Sequence, residues 1–256
     1  MKYGYFFLLF LWGLVPLAFA NDIDIAANEG IEWDREAKRY TARGAVVLRQ
    51  NDMDLGAEEL IIHYEEVVES GETKTKLLRI DATDDVTIAN TAFLAQGDRG
   101  VYDVVNGLAT LVGSNLQLSN FEGLLVRARD TLEYWDTRNE LIARGDAELF
   151  NEGNQLRADV ILAKLTRYQD TQQEEISELQ AQGSIKVNTA EHTITGDRAR
   201  YDSHSKLATI CGGVSISANG QEITGECAEA NLGSGYVRII AGQTGGRVRA
   251  VITPLQ

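Results

Sequence analysis

An aromatic residue recurs along the chain at Trp33, Tyr64, Tyr102, Trp135, Tyr168 and Tyr201, at intervals of 31, 38, 33, 33 and 33 residues. A fixed period of this kind marks stacked units that each bury too little alone and must share a core with their neighbours. A second marker follows each aromatic in the same order. Gly44, Gly113, Gly145, Gly183 and Gly212 each precede an alternating apolar pair: Val46 and Leu48, Leu116 and Leu118, Ala147 and Leu149, Ile185 and Val187, Val214 and Ile216. Before Val86 and Ile88, Asp84 stands in place of the glycine.

The alternation has a period of two and is rich in branched residues, so each pair predicts a strand with one apolar face. Short polar stretches lie between a strand and its return, including Asn51-Asp52, Glu152-Gly153-Asn154 and Asn219-Gly220. Asn-Gly is a strong hairpin signal because both central turn residues need positive φ. The aromatic-acid sites (Asp103 to Gly107, Asp136 to Asn139, Asp202 to Lys206) predict the opposite turns. Gly97, Gly196 and Gly225, with Ala128 and Ala158, fall where the return strands would bend. The expectation is an all-β stack of bent antiparallel strands, forming one body over residues 21–256. Its units lie near 28–55, 56–96, 97–127, 128–157, 158–195 and 196–224, with a cap at 225–256. Insertions at 65–76 and 170–178 read as solvated, lengthened turns, the second able to form a turn of helix.

Residues 1–20 read as an export signal: Lys2, an apolar run from Phe6 to Leu17, and a small-x-small site ending at Ala20. Cleavage there would leave a soluble, exported protein. The only prolines are Pro16 and Pro254, so no interior strand is interrupted. Thirty-eight acids against 24 Lys and Arg leave a net charge of −14, which argues against nucleic acid as a partner.

No nucleophile elbow, zinc-protease helix, phosphate loop or CxxC occurs. His63, His192 and His204 lie in different units without ligand spacing, and no cofactor or metal is expected. Acidic neighbours such as Asp84-Asp85, Glu58-Glu59 and Glu65-Glu66 could suggest glycosidase carboxylates, but such neighbours are expected in so acidic a chain. The reading is therefore not an enzyme. Cys211 and Cys227 are the only cysteines. If Asn219-Gly220 form the turn, the two fall opposite each other within one residue, close enough for a disulfide in an oxidising compartment. Two buried free thiols are the competing reading.

The units Gly196-Asp197-Arg198-Ala199-Arg200-Tyr201-Asp202 and Gly212-Gly213-Val214-Ser215-Ile216, with the second match at Gly97-Asp98 and Tyr102-Asp103, resemble the OstA-like family. That is the β-jellyroll family of LptA and of the periplasmic domains of LptC and LptD. The resemblance covers about residues 28–233. It implies a periplasmic protein, an open V-shaped β-jellyroll whose inner faces shield the acyl chains of lipopolysaccharide between the inner and outer membranes. The expected inner face is Val46, Leu48, Val86, Ile88, Leu116, Leu118, Leu149, Ile185, Val187, Val214 and Ile216, which an ordinary packed core would also explain. It further implies edge-strand addition of LptC-like and LptD-like jellyroll domains, and head-to-tail self-association. The docking edges would be near Ile31 to Leu48 and Tyr236 to Ile252. Two other readings stand beside it: a membrane-anchored LptC-like or structural assembly module without a carrier role, and an exported solenoid acting on polysaccharide.

Overall fold

The computed structural model describes residues 23–251 apart from 52, 70, 92, 121–122, 168–173, 219–220, 235 and 242–246. The expected export signal, Tyr168 and the Asn219-Gly220 turn lie outside the described residues. Among those described, all regular structure is strand, arranged in one antiparallel sheet of 18 strands. Strands β1 (Asp24–Ala26) and β2 (Gly30–Asp34) share one lane, because both pair with β3 (Arg39–Gln50). β4 (Met53–Glu69), β5 (Glu72–Ala89) and β6 (Phe93–Asp103) follow as continuous lanes. β7 (Leu108–Val112) with β8 (Leu116–Asn120) share the next lane, and β9 (Leu125–Ala128) with β10 (Thr131–Trp135) the one after.

β11 (Glu140–Asn151), β12 (Asn154–Arg167), β13 (Glu174–Asn188), β14 (Thr193–Asp202), β15 (Leu207–Ala218) and β16 (Gln221–Asn231) are again continuous. β17 (Tyr236–Ile240) and β18 (Arg249–Val251) share the last lane, both paired with β16. Fourteen lanes result, each antiparallel to the next.

The lanes bend at register shifts, for example between Arg43 and Val46, Thr83 and Val86, and Cys211 and Val214. At these corners two consecutive residues turn left-handed. Gly44 and Ala45 have φ of 84° and 42°, Asp84 and Asp85 62° and 51°, Gly145 and Asp146 80° and 43°, Gly212 and Gly213 93° and 64°. Left-handed backbone costs an ordinary L-residue roughly 1–2 kcal/mol, glycine nothing, and aspartate less than most. This is why glycine recurs in the sequence and why Asp84 can replace it. The aspartate of the Gly-Asp motif closes the corner next door. Asp98 Oδ2 accepts hydrogen bonds from Ser114 N at 2.8 Å and Ser114 Oγ at 3.0 Å. Asp197 packs over Gly212 so closely that a Cβ there would meet its Oδ2 at 2.6 Å.

The second aspartate of the motif makes the opposite turn. Asp34 Oδ1 accepts from Ala37 N at 2.9 Å, Asp103 Oδ1 from Asn106 N at 3.0 Å, and Asp202 Oδ1 from Ser205 N at 2.8 Å. Asn231, where the motif degrades, does the same for Ser234 N at 2.9 Å. These bonds favour the charged carboxylate: the Asn106 side chain holds Asp103 below its ordinary pKa, and the Ser205 backbone N–H does so for Asp202.

Four expectations need correction. The insertion at 65–76 is not a turn but an arm of antiparallel ladder, from Glu65 opposite Lys76 out to Glu69 opposite Glu72. Residues 174–178 continue β13 as strand rather than forming a helical turn. β3 is paired on both sides, so the first edge is β1 and β2 rather than the whole of Ile31 to Leu48. Finally, Tyr134 rather than Trp135 lies in register with Tyr102, both facing Ala109. Adjacent aromatics alternate faces on a strand, and their order in the sequence does not say which points inward.

Candidate functional site

The bend divides each lane between two walls, and each wall carries an unbroken apolar row. In the wall that holds the sequence-predicted residues, cross-strand neighbours run Ile25, Leu48, Leu55, Ile88, Ala95, Leu118, Val126, Leu149, Leu156, Val187, Ile194, Ile216, Ile223 and Ala250. In the other wall they run Ile31, Ala42, Leu60, Ala82, Gly100, Leu111, Leu132, Ala143, Ile161, Ala181, Ala199, Ile210, Ala228 and Ile239. The residues beside the first row are mostly polar, among them Thr87, Gln96, Gln117, Arg127, Glu148, Arg157 and Lys186. This is the period of two expected for a sheet with one dry face.

The expected inner face separates into two layers. The residues next to the corner are core: Val46, Val86 and Val214 are each 1% exposed, and Leu116 and Ile185 2%. Each faces a small residue on the return strand: Val46 opposite Ala57, Val86 opposite Gly97, Leu116 opposite Ala128, Ile185 opposite Gly196, Val214 opposite Gly225. A Cβ on Gly196 would meet Ile210 Cγ2 at 2.6 Å, so glycine is what lets the walls approach at the fold line. One step further from the corner, Ile88, Leu118, Leu149, Val187 and Ile216 are half-buried, while Leu48 is buried. Cys211 lies opposite Cys227 immediately before the register shift, and the two form a disulfide. The one-residue offset read from the Asn-Gly turn is that corner bulge.

Sequence reasoning missed the whole facing row, with Leu60 at 0% exposure and Ile161 at 3%. Its signal was available in Leu60 and Ile62, and in Ile161 and Ala163, spaced by two. The small residues interleaved across lanes hide it in any single strand.

Packing between the rows is asymmetric along the stack. At the first end burial is complete one lane in from the edge, where Ala42 is 1% and Leu48 6% exposed. At the other end the contiguous core stops at Ile185. Beyond it, among the described residues, only Val214 and Ala228 are buried, and Ile194, Ala199, Ile210, Ile216 and Ile223 are half-buried although β14 lies three lanes from the last. Both apolar rows are thus less completely buried in the C-terminal lanes than in the lanes before them.

Both end lanes carry exposed apolar side chains. Ile31 and Trp33 on β2 are each 49% exposed, and Tyr236 and Val237 on β17 are 63% and 53%. Trp33 is held rigidly: its Nε1 donates to Tyr64 Oη at 2.7 Å, its ring stacks on Tyr40 with centroids 5.5 Å apart, and the Arg35 guanidinium lies 4.0 Å over its face.

Further inside, Tyr102 Oη donates to Asp136 Oδ2 at 3.0 Å, joining β6 to the turn after β10. Burial, then that bond, push the phenol from 10.0 up to about 12. A raised folded-state value means that the stability it contributes is intact below about pH 10 and is lost as pH climbs towards 12. Replacing Tyr102 with Phe should remove one ionisation near pH 12 from a spectrophotometric titration. A phenol that titrates with the exposed tyrosines would contradict the bond.

Among the described residues no group of His, Cys, Asp and Glu is placed to hold a metal ion, and no helix is long and apolar enough to cross a membrane. The glutamates singled out in the sequence have other partners: Glu59 pairs with Arg43 at 2.6 Å, Glu66 with Lys38 at 2.6 Å and Glu65 with Lys76 at 3.1 Å, and Glu58 accepts a hydrogen bond from Ala45 N at 3.3 Å. His63 Nε2 lies 3.2 Å from Asp81.

Residues 24–122 match the family model described as LptA/(LptD N-terminal domain) LPS transport protein. No curated protein matches the chain. Among solved structures, the crystal structure of LptH, the LptA homologous periplasmic component of the lipopolysaccharide transport device from Pseudomonas aeruginosa, is similar at a TM-score of 0.45 and 14% identity, covering 52% of this chain and 96% of that one. Over residues 24–122, then, the chain is similar to the family of LptA and the LptD N-terminal domain.

Proposed function

We propose that this protein is a periplasmic lipopolysaccharide carrier and bridge, exported by residues 1–20, and that acyl chains lie between its two apolar rows. The observation that carries the reading is the incomplete burial of those rows in the C-terminal lanes. A packed β-sandwich would keep Ile194, Ile210, Ile216 and Ile223 as dry as Leu60; here they are only half-buried, on facing inner walls. Apolar surface removed from water returns about 25 cal/mol per Å², so an alkyl chain laid between such rows is stabilised by about 0.8 kcal/mol per buried methylene. No charged group is needed inside, and none interrupts either row. The matched family is one of transport proteins rather than enzymes, in keeping with a site that binds and does no chemistry.

The open end lanes supply the joints. An edge strand offers unpaired N–H and C=O groups to another chain. β1 with β2, and β17 with β18, would take LptC-like and LptD-like jellyroll domains or further copies in this way.

The test is lipid detection on the mature protein, residues 21–256, purified from the periplasm. Ile194→Asp combined with Ile216→Asp places two charges on adjacent lanes of one row, at positions exposed enough to leave the fold intact. Losing both apolar contacts should cost about 3 kcal/mol, on the order of a hundredfold in affinity. Copurifying lipopolysaccharide should fall accordingly. Thr195→Asp with Ser215→Asp, on the outer face of the same strands, should retain it. A parent protein that carries no lipopolysaccharide even in excess would instead point to an assembly module.

A further inference from the structure

We infer that the chain is two jellyroll modules, residues 24–120 and 125–251, whose internal boundary is a docked edge-to-edge joint of the kind that otherwise forms between separate chains. The inference goes beyond the lipid reading and stands without it.

The first observation is which lanes are broken. The lanes of β1 with β2 and of β17 with β18, at the two ends of the stack, are each made of two short strands. Among the described residues only two other lanes are, and they are neighbours in the middle: β7 with β8, and β9 with β10. Every remaining lane is a single strand of 10 to 18 residues. The middle of the sheet therefore holds two lanes of terminal character placed edge to edge, paired through β7 with β10 and β8 with β9.

The second observation is a nearly constant displacement. Lane breaks occur between Arg43 and Val46, Gly56 and Glu59, His63 and Tyr64, and Thr83 and Val86 in the first half, and between Arg144 and Ala147, Arg157 and Val160, Lys164 and Leu165, and Gln182 and Ile185 in the second. The first three pairs of breaks are 101 residues apart (144 − 43, 157 − 56, 164 − 63) and the fourth 99 (182 − 83). The displacement is not that of the two-lane unit, because the third break is the base of a projecting hairpin arm that, among the described residues, only β4–β5 and β12–β13 possess. The sequence repeats with it, Ala42-Arg43-Gly44 becoming Ala143-Arg144-Gly145.

The third observation identifies the entry lane. In the first module the broken lane is held at the corner by Asn28 N to Gly44 O at 2.7 Å and Glu29 N to Arg43 O at 3.0 Å. In the second, Arg129 N to Gly145 O at 2.7 Å and Asp130 N to Arg144 O at 3.0 Å repeat it. β9 and β10 are thus built like the exposed first edge of the chain, yet here they are covered by β7 and β8. The family model ends at residue 122, between the two modules.

The joint shows what such an edge takes as its partner. Leu132 and Tyr134, counterparts of the exposed Ile31 and Trp33, face Leu111 and Ala109. Leu111 with Leu132 carries one inner row across the joint and Leu118 with Val126 carries the other, both without interruption. One chain thereby supplies a stack of roughly 60 Å at about 4.8 Å per lane, which two separate modules would otherwise have to assemble, and its internal joint cannot dissociate.

The test is to cut the link in the intact protein. Gly123 has φ of 95°, and a Cβ placed on it would meet nothing within 4 Å, so a protease site inserted after it should be accepted. The cleaved protein is expected to remain one species on gel filtration. In urea it should come apart into two fragments that each keep a β-sheet circular dichroism signal, and labelled fragment 124–256 added in excess should exchange into the complex. A single transition in which both halves unfold together, or fragments that lose their sheet signal on separation, would overturn the inference. Hydrogen exchange on the uncut chain guards against a defect caused by the insertion. Amides of 125–251 should open together and at lower denaturant than those of 24–120; one common opening of all fourteen lanes would count against two modules.

Discussion

Leu60→Ala should lower the unfolding free energy by about 3–4 kcal/mol, near the upper part of the range for buried leucines. Leu60 is 0% exposed and stands in register between Ala42 and Ala82, themselves 1% and 3% exposed. Alanine methyls on both sides cannot swing into the space vacated, so the cavity persists and its cost is added to the lost transfer energy. The informative partner is Ile210→Ala, in the same row and also between two alanines, Ala199 and Ala228, but only half-buried. Its expected loss is smaller, about 2 kcal/mol, because part of its side chain already reaches solvent and less cavity is left behind. Urea midpoints for the two variants, with unchanged slopes, would measure the difference directly. Equal losses would mean that the walls are as closely packed at Ile210 as at Leu60, and that the C-terminal lanes hold no cleft.

Replacing both Cys211 and Cys227 with serine should cost about 3 kcal/mol, the value expected from freeing a loop of this size in the unfolded chain. The two lie 16 residues apart and bridge β15 to β16 at the fold line. The location matters more than the magnitude. Beyond Ile185 the contiguous core has ended, so the last lanes depend on ladder hydrogen bonds and on this bridge. In the serine variant, trypsin should cut at exposed Arg238 or Arg249 while residues 24–120 stay resistant. Uniform loss of resistance along the chain would show that the bridge serves the whole sheet. No change at all would show that the last lanes need no clamp.

Much of this architecture is legible in the residues, for identifiable reasons. Corner glycines are forced by left-handed backbone that a side chain resists, so Gly44, Gly145 and Gly212 recur wherever a lane folds. The turn aspartates recur because a short carboxylate reaches the N–H three residues on, as at Asp34, Asp103 and Asp202. Both are local interactions, and local interactions leave periodic marks. The cysteine alignment is legible too, since a hairpin makes opposite positions sum to a constant.

Depth is not local. Val214 and Ile216 belong to one face of one strand and look equivalent as sequence, yet one is 1% exposed and the other half-buried. The difference lies outside the strand: Val214 sits at the corner opposite Gly225, where a Cβ would run into Ile239 Cγ2 of the other wall, and Ile216 sits one step away from it. In the same way Tyr134 and Trp135 could not be ranked, because the register of β10 against β7 decides which faces Ala109. By itself the sequence determined an all-β stack of bent antiparallel lanes with a greasy face, because turn chemistry and a period of two act over a few residues. Only the tertiary structure decided where that face is core and where it is half-buried, which strands are true edges, and that two broken lanes meet in the middle. Those depend on distances between segments that the chain brings together only on folding.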